Sequence, residues 1–166
     1  TAKNVRETGS TGEAFEKVKD RFRGIIAELA LDFDAETMLL GTEAEILREN
    51  SEDFTASRGE YLSARVMAEL LGMPFIDARS VVKFDAEGKL DGERTFGLLR
   101  EALKGKPRAV VSGFYGEDVN GKVKTFSRGG SDISGAIVAR AAGADLYENW
   151  TDVSGFLACD PRIVKN

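Results

Sequence analysis

Apolar residues recur along this chain with two different periods, and the two kinds of stretch alternate. Phe15, Val18, Phe22, Ile25, Ile26 and Leu29 step by three and four. That spacing predicts an amphipathic helix over 12–31, with Lys19 and its charged neighbours on the wet faces. A second helix is expected over 35–49, sparser in apolar residues and interrupted by Gly41, as a lid or edge element would be. Ser57-Arg58-Gly59-Glu60 has the S-x-x-E form of a capping box and predicts the start of a third helix. Leu62, Val66, Leu70 and Leu71 are its expected buried stripe, and Gly72 with Pro74 its stop. A strand is expected over 75–84, a helix over 96–104 and a buried strand over 109–111. Residues 113–126 read as strand, turn and strand, with Asn120-Gly121 the signature of a type I′ hairpin. An Ala-rich helix suited to close packing on a sheet follows over 131–142, then strands over 145–150 and 156–159. Such alternation predicts an α/β sheet covered by helices on both faces. No repeat, low-complexity tract or Pro/Gly-rich linker divides the 166 residues, and a chain of this length can bury a real core.

Composition narrows the chemistry. Twenty-three basic against 28 acidic residues leave a net charge of −5, which argues against a nucleic-acid module and a polybasic membrane anchor. There is no histidine, so His bases, Ser-His-Asp triads and His metal ligands are excluded. The single cysteine, Cys159, excludes an intrachain disulfide and reads as a small apolar residue. No run approaches the roughly 18 apolar residues of a membrane span, and no secretory apolar segment opens the chain. A cytoplasmic, reduced protein is expected.

Four motifs bear on function. Gly116 to Lys122 fits G-x-x-x-x-G-K, but Val123 stands where a phosphate loop needs Ser or Thr. The following residues alternate like a strand, so this is expected to be a hairpin. Ser127-Arg128-Gly129-Gly130-Ser131-Asp132 lies between a strand and a helix. Ser131 or Asp132 can cap that helix, its free N–H groups favour an anion, and Arg128 offers a fork that matches a carboxylate. Glu60 suits a helix cap first and a substrate amine second. Trp150-Thr151-Asp152-Val153-Ser154-Gly155, then Asp160-Pro161-Arg162, place turn chemistry where ligands of α/β sheets bind. Each piece alone has a bland structural reading, and Trp150 is expected to pack.

In order and spacing these blocks resemble the aspartate kinases (aspartokinases) of the amino-acid kinase family. The likeness runs clearly from Ser57 onward, through Gly113-Phe114-Tyr115-Gly116, the Arg128–Asp132 block and the Thr151-Asp152 and Asp160-Pro161-Arg162 blocks. It implies a three-layer αβα sandwich with a mainly parallel sheet, carbamate kinase-like. It implies transfer of the γ-phosphoryl group of ATP to the side-chain carboxylate of L-aspartate with Mg2+, the first step of lysine, threonine and methionine biosynthesis, and a homo-oligomeric parent protein. By the same resemblance Glu60 holds the substrate ammonium group and Arg128 clamps a carboxylate. Phe114 and Ser131 shape the aspartate site, Asp132 orients catalytic lysines, and Thr151, Asp152 and Arg162 lie along the nucleotide. No residue is assigned to a metal.

The family's Lys-Phe-Gly-Gly phosphate loop has no counterpart; the nearest candidate, Lys3-Asn4-Val5, lacks the glycines. Ser154 and Leu157 stand where Asp and Tyr are usual. Residues 1–166 are therefore expected to be a partial catalytic domain, incomplete at both ends, without the phosphate loop, the later nucleotide lysine or regulatory domains, and inactive by itself. Two other readings stay open: another amino-acid kinase, acting on acetylglutamate or glutamate, and a non-catalytic amino-acid-binding module.

Overall fold

Side-chain caps decide where several helices begin. The computed structural model describes residues 1–127 and 129–150. In chain order these form α1 (Ala2–Thr8), α2 (Gly12–Glu28), α3 (Ala35–Glu49), α4 (Glu52–Leu71), β1 (Phe75–Ile76) and α5 (Ala78–Val81). They continue as α6 (Gly92–Leu103), β2 (Val110–Val111), β3 (Tyr115–Glu117), β4 (Val123–Thr125) and α7 (Gly130–Ala142). Asp34 caps α3 by accepting from the Thr37 amide, and Asp91 caps α6 by accepting from the Arg94 amide. Gly41 does not interrupt α3, which buries Leu39 and Ile46 and is a core helix rather than a lid.

The cap of α4 corrects the sequence reading. Ser51, not Ser57, accepts from a first-turn amide, that of Phe54 at 3.3 Å, with extended backbone at φ −118°. Ser57 lies mid-helix and turns its hydroxyl back to the Phe54 carbonyl. The buried face holds Phe54, Ser57, Arg58, Leu62 and Val66, while Leu70 and Leu71 are exposed. Gly72 ends the helix in a left-handed conformation at φ 59°, as its glycine predicts.

The strand expected over 75–84 is broken into pieces. Asp77 accepts from the Arg79 amide and the Ser112 hydroxyl accepts from the Ala78 amide. Those side chains offer the backbone a helical turn in place of a ladder. Extended chain resumes at Lys83, which bridges in parallel to Glu117. β1 and β2 pair in parallel, Phe75 opposite Val110, and β3 and β4 pair antiparallel, Tyr115 opposite Thr125. Asn120-Gly121 does turn the chain, but by a three-residue loop. Only Gly121 has positive φ, at 74°, and the Asp118 amide donates to the Lys122 carbonyl. Asp118 secures the loop by accepting from the amides of Asn120 and Lys122.

Helix α4 lies along β1, β2 and β4, while α7 packs mainly on α6 rather than on a strand. Phe54 and Ile46 from the helices meet Ile76, Val82, Phe84 and Tyr115 in one core. The α/β class is therefore borne out. Residues 145–150 form no strand, and Trp150 is 87% exposed rather than packed. The strand expected over 156–159 lies outside the described residues. Lys19, expected on a wet face, is buried between Glu16 and Glu43. Among the described residues no helix is long and apolar enough to cross a membrane.

Candidate active site

A concavity lies between α4, the end of β2 and the flank of α7. It has a volume of about 440 Å³ and a mixed lining. Glu60, Ser112, Ser131 and Ser134 are its polar lining, and small apolar residues such as Ala109, Val111 and Val138 its apolar lining. Glu60 reaches it from the middle of α4, because residues 52–57 extend that helix backwards and leave Glu60 two turns from the cap. Among the described residues nothing donates a hydrogen bond to its carboxylate and no cation pairs with it. Gly113 separates Glu60 from α7: a Cβ there would lie 3.5 Å from Glu60 Oε1 and 3.6 Å from Ser134 Cβ.

Helix α7 flanks this pocket, with Ser131 of its first turn at one point of the lining and Ser134, Val138 and Ala142 farther along. Its cap, Gly129, is left-handed at φ 59° and has no side chain with which to close the helix end. Ser131 and Asp132 thus lie inside the first turn rather than acting as caps. Uncapped N–H groups at a helix start favour an anion. Ser131 lines the pocket, and Asp132 is exposed beside it, accepting from Asn149 Nδ2 at 3.0 Å. Phe114 backs the same helix turn. A Cβ on Gly130 would lie 2.7 Å from Phe114 Cβ and 3.1 Å from Phe126 Cβ, so only glycine admits this approach. Arg128, Thr151, Asp152 and Arg162 lie outside the described residues.

The corner that carries Gly113 and Phe114 is held by a buried polar chain. The Ala78 amide donates to Ser112 Oγ, which lies 2.8 Å from Tyr115 Oη, and Tyr115 Oη donates to Asp77 at 2.7 Å. Burial, with Asp77 beside it, pushes the Tyr115 hydroxyl far above its usual range, so it stays a neutral donor. Arg58 closes the back of this corner. Its guanidinium stacks 4.2 Å from the Phe54 ring centroid, 4.6 Å from Tyr61 and 5.4 Å from Tyr115. It also donates twice to Ser57 Oγ.

The profile of the amino acid kinase family matches residues 9–166. The chain belongs to the amino acid kinase family. An aspartate kinase from Clostridium acetobutylicum superposes with a TM-score of 0.89 at 43% identity, covering 99% of this chain and 38% of that one. Escherichia coli aspartokinase III, solved in complex with aspartate and ADP, superposes at 0.69 with 28% identity, covering 93% of this chain and 40% of that one. Aspartokinase 3 of Bacillus subtilis is 32% identical over 99% of this chain. This chain spans about two fifths of the length of these amino acid kinase relatives.

Within this family member the structure brings Glu60, Phe114, Ser131 and Asp132 to one place. Three residues around the pocket had no signal in the sequence. Ser134 and Ser112 are single hydroxyls in ordinary company, and their roles come only from what the chain folds against them. Tyr147 also lines the pocket, with its hydroxyl over Gly135, where a methyl group would collide with it. Lys3-Asn4-Val5 lies within α1, so no phosphate-cradling loop forms there. The rejected G-x-x-x-x-G-K match is a hairpin, and its Glu117 is bound to Lys83 at 2.5 Å and Arg79 at 3.4 Å.

Proposed function

We propose that this chain is part of the catalytic domain of an aspartate kinase, which makes 4-phospho-L-aspartate from L-aspartate and ATP. The observation that carries the reading is that Glu60, without a cation partner among the described residues, lines one pocket with Ser131 in the first turn of α7. An α-amino acid has both complements: an ammonium group for Glu60 and a carboxylate for the helix start and Arg128 in the loop before it. Phe114 and Ser131 bound the space for the side chain, and Asp132 is proposed to orient lysines toward the phosphates. The E. coli and Clostridium structures support the choice of aspartate among amino acids, since both neighbours are aspartate kinases.

The chemistry asks little of the protein beyond position and charge. A side-chain carboxylate oxygen attacks the γ-phosphorus, the bond from that phosphorus to the β-phosphate oxygen breaks, and ADP leaves with the electron pair. The carboxylate is ionised near neutral pH, so no base has to remove a proton. Positioning and charge neutralisation are the main catalytic demands of such a transfer. The family's nucleotide would lie along Thr151, Asp152 and Arg162. Among the described residues no group of three metal-ligating side chains forms. Magnesium would arrive on the nucleotide phosphates, as it commonly does. A cytoplasmic location and a homo-oligomeric parent protein belong to the same proposal and rest on the family likeness.

Calorimetric titration of the chain with L-aspartate, in the presence of ADP and magnesium, tests the reading. Aspartate is expected to bind and acetylglutamate not, because an acetylated amine leaves Glu60 without its cation. Glu60→Gln should weaken aspartate about 10- to 100-fold, the equivalent of about 1.5–3 kcal/mol for a hydrogen bond to a charged group. Tighter binding of acetylglutamate, or an unchanged affinity in Glu60→Gln, would replace this reading with another amino-acid kinase or a binding module. The chain alone is proposed to be inactive, for want of the phosphate loop. Aspartyl phosphate formed from ATP by pure chain would overturn that part.

A further inference from the structure

Phe114 is one of three non-glycine residues with positive φ among the described residues, and the only aromatic one, at 56°. A bulky side chain in the left-handed region is strained and persists only where its surroundings hold it. Here the restraint comes from opposite directions. The Phe114 carbonyl accepts from the Phe126 amide at 2.9 Å, extending the β3–β4 hairpin by one bond. The Phe114 amide donates to Ser134 Oγ at 2.8 Å. Ser134 is 7% exposed, and its own proton goes to the Gly130 carbonyl at 2.7 Å. One buried hydroxyl therefore ties the strained Phe114 peptide to the first turn of α7. It does so where Gly113 alone separates Glu60 from that helix.

We infer that Ser134 is a positioning residue: it clamps the left-handed Phe114 against the first turn of α7 and thereby sets the affinity of the pocket for its amino acid. The inference rests on the aspartate reading for its ligand, but not for the clamp. Without the hydroxyl, the Phe114 amide loses its acceptor, and the peptide is released toward the extended backbone a phenylalanine prefers. The ring would then leave Gly130, and the separation of Glu60 from Ser131 would no longer be fixed. Threonine keeps the same hydroxyl on the same helix and should keep the clamp, since Thr also donates to the carbonyl one turn back.

The experiment compares wild type, Ser134→Ala and Ser134→Thr by amide hydrogen exchange and by titration with L-aspartate. In the ligand-free chain, the Phe114 amide should exchange about tenfold faster in Ser134→Ala and be restored in Ser134→Thr, while the Leu39 amide in α3 stays unchanged. The aspartate dissociation constant should rise about tenfold in Ser134→Ala and stay within about threefold in Ser134→Thr. An unchanged Phe114 amide in Ser134→Ala overturns the clamp, as does equal loss of protection at Leu39, which would mark general destabilisation. Aspartate binding as tight as wild type in Ser134→Ala overturns its effect on affinity. If wild type binds no aspartate, the substrate reading fails, and Phe114 exchange alone decides the clamp.

Discussion

Single atoms decide several positions in this chain. A Cβ on Gly116 would lie 2.5 Å from the Val82 carbonyl oxygen and 2.7 Å from Val82 Cγ1. Those neighbours are backbone and a buried side chain, so neither can move aside cheaply. Gly116→Ala is expected to cost about 1–3 kcal/mol, the usual range for overpacking, and to lower the melting temperature by several degrees. Gly116 stands out in the sequence as part of a false phosphate-loop match and of a block with a family likeness, neither of which explains why it must be glycine. Its real constraint is the close passage of β3 by residue 82, which no local pattern reveals. Arg58 is similar. In the sequence it is only the second letter of a capping-box pattern, yet it is 3% exposed and covered by three aromatic rings. Lysine has neither the planar face nor the two donors that meet Ser57. Arg58→Lys should therefore destabilise the chain by about 1–3 kcal/mol, read as a lower urea midpoint.

At the scale of elements, the helices were the most legible part of the chain. The 35–49 helix is found with the expected bounds, and the 12–31 and 131–142 helices shift by one to three residues at their ends. Periodicity is a property of many residues at once, so one exception does not erase it. Starts are less legible because a cap is a single residue whose backbone must leave the helix. Ser57 heads the S-x-x-E pattern, but Ser51 has the extended backbone that lets its hydroxyl reach back. Ser51→Ala is expected to cost about 1 kcal/mol, measured by thermal unfolding. Strands fared worse. The 75–84 run is apolar enough for one strand, but Asp77 and Ser112 bend it into a helical turn through a contact between residues 34 apart in sequence. Residues 145–150 have a strand's composition and no strand partner among the described residues.

Across the whole molecule, depressed carboxylates tie elements far apart in sequence. Burial pushes the Glu117 carboxyl upward, but Lys83 and Arg79 outweigh it and hold it below its ordinary value. Hydrogen bonds from Lys19 and Thr11 hold Glu43 down as well. The ordinary value for both is 4.5, so the folded chain binds fewer protons than the unfolded chain in acid. Their contribution is complete above about pH 4.5 and is lost as pH falls through the lower folded values. Urea unfolding should show a midpoint that drops steeply below that pH. In Glu117→Gln the drop should be shallower and the midpoint near neutrality already lower, because buried Lys83 loses its partner. An equal acid slope in wild type and variant would show that other carboxylates carry the effect.

The sequence by itself determined the α/β class, the approximate span of most helices, the hairpin in place of a phosphate loop and the residues to look at: Glu60, Phe114, Ser131 and Asp132. All of these are written in local spacing, in turn residues or in short blocks with a family likeness. Only the tertiary structure decided that Glu60 and Ser131 line one pocket, that Arg58 and Lys19 are buried, and that Ser134 holds Phe114. Each of those depends on a contact between residues distant in sequence. Such contacts form because core packing leaves a buried charge or amide only certain partners, and one chain read alone does not show which.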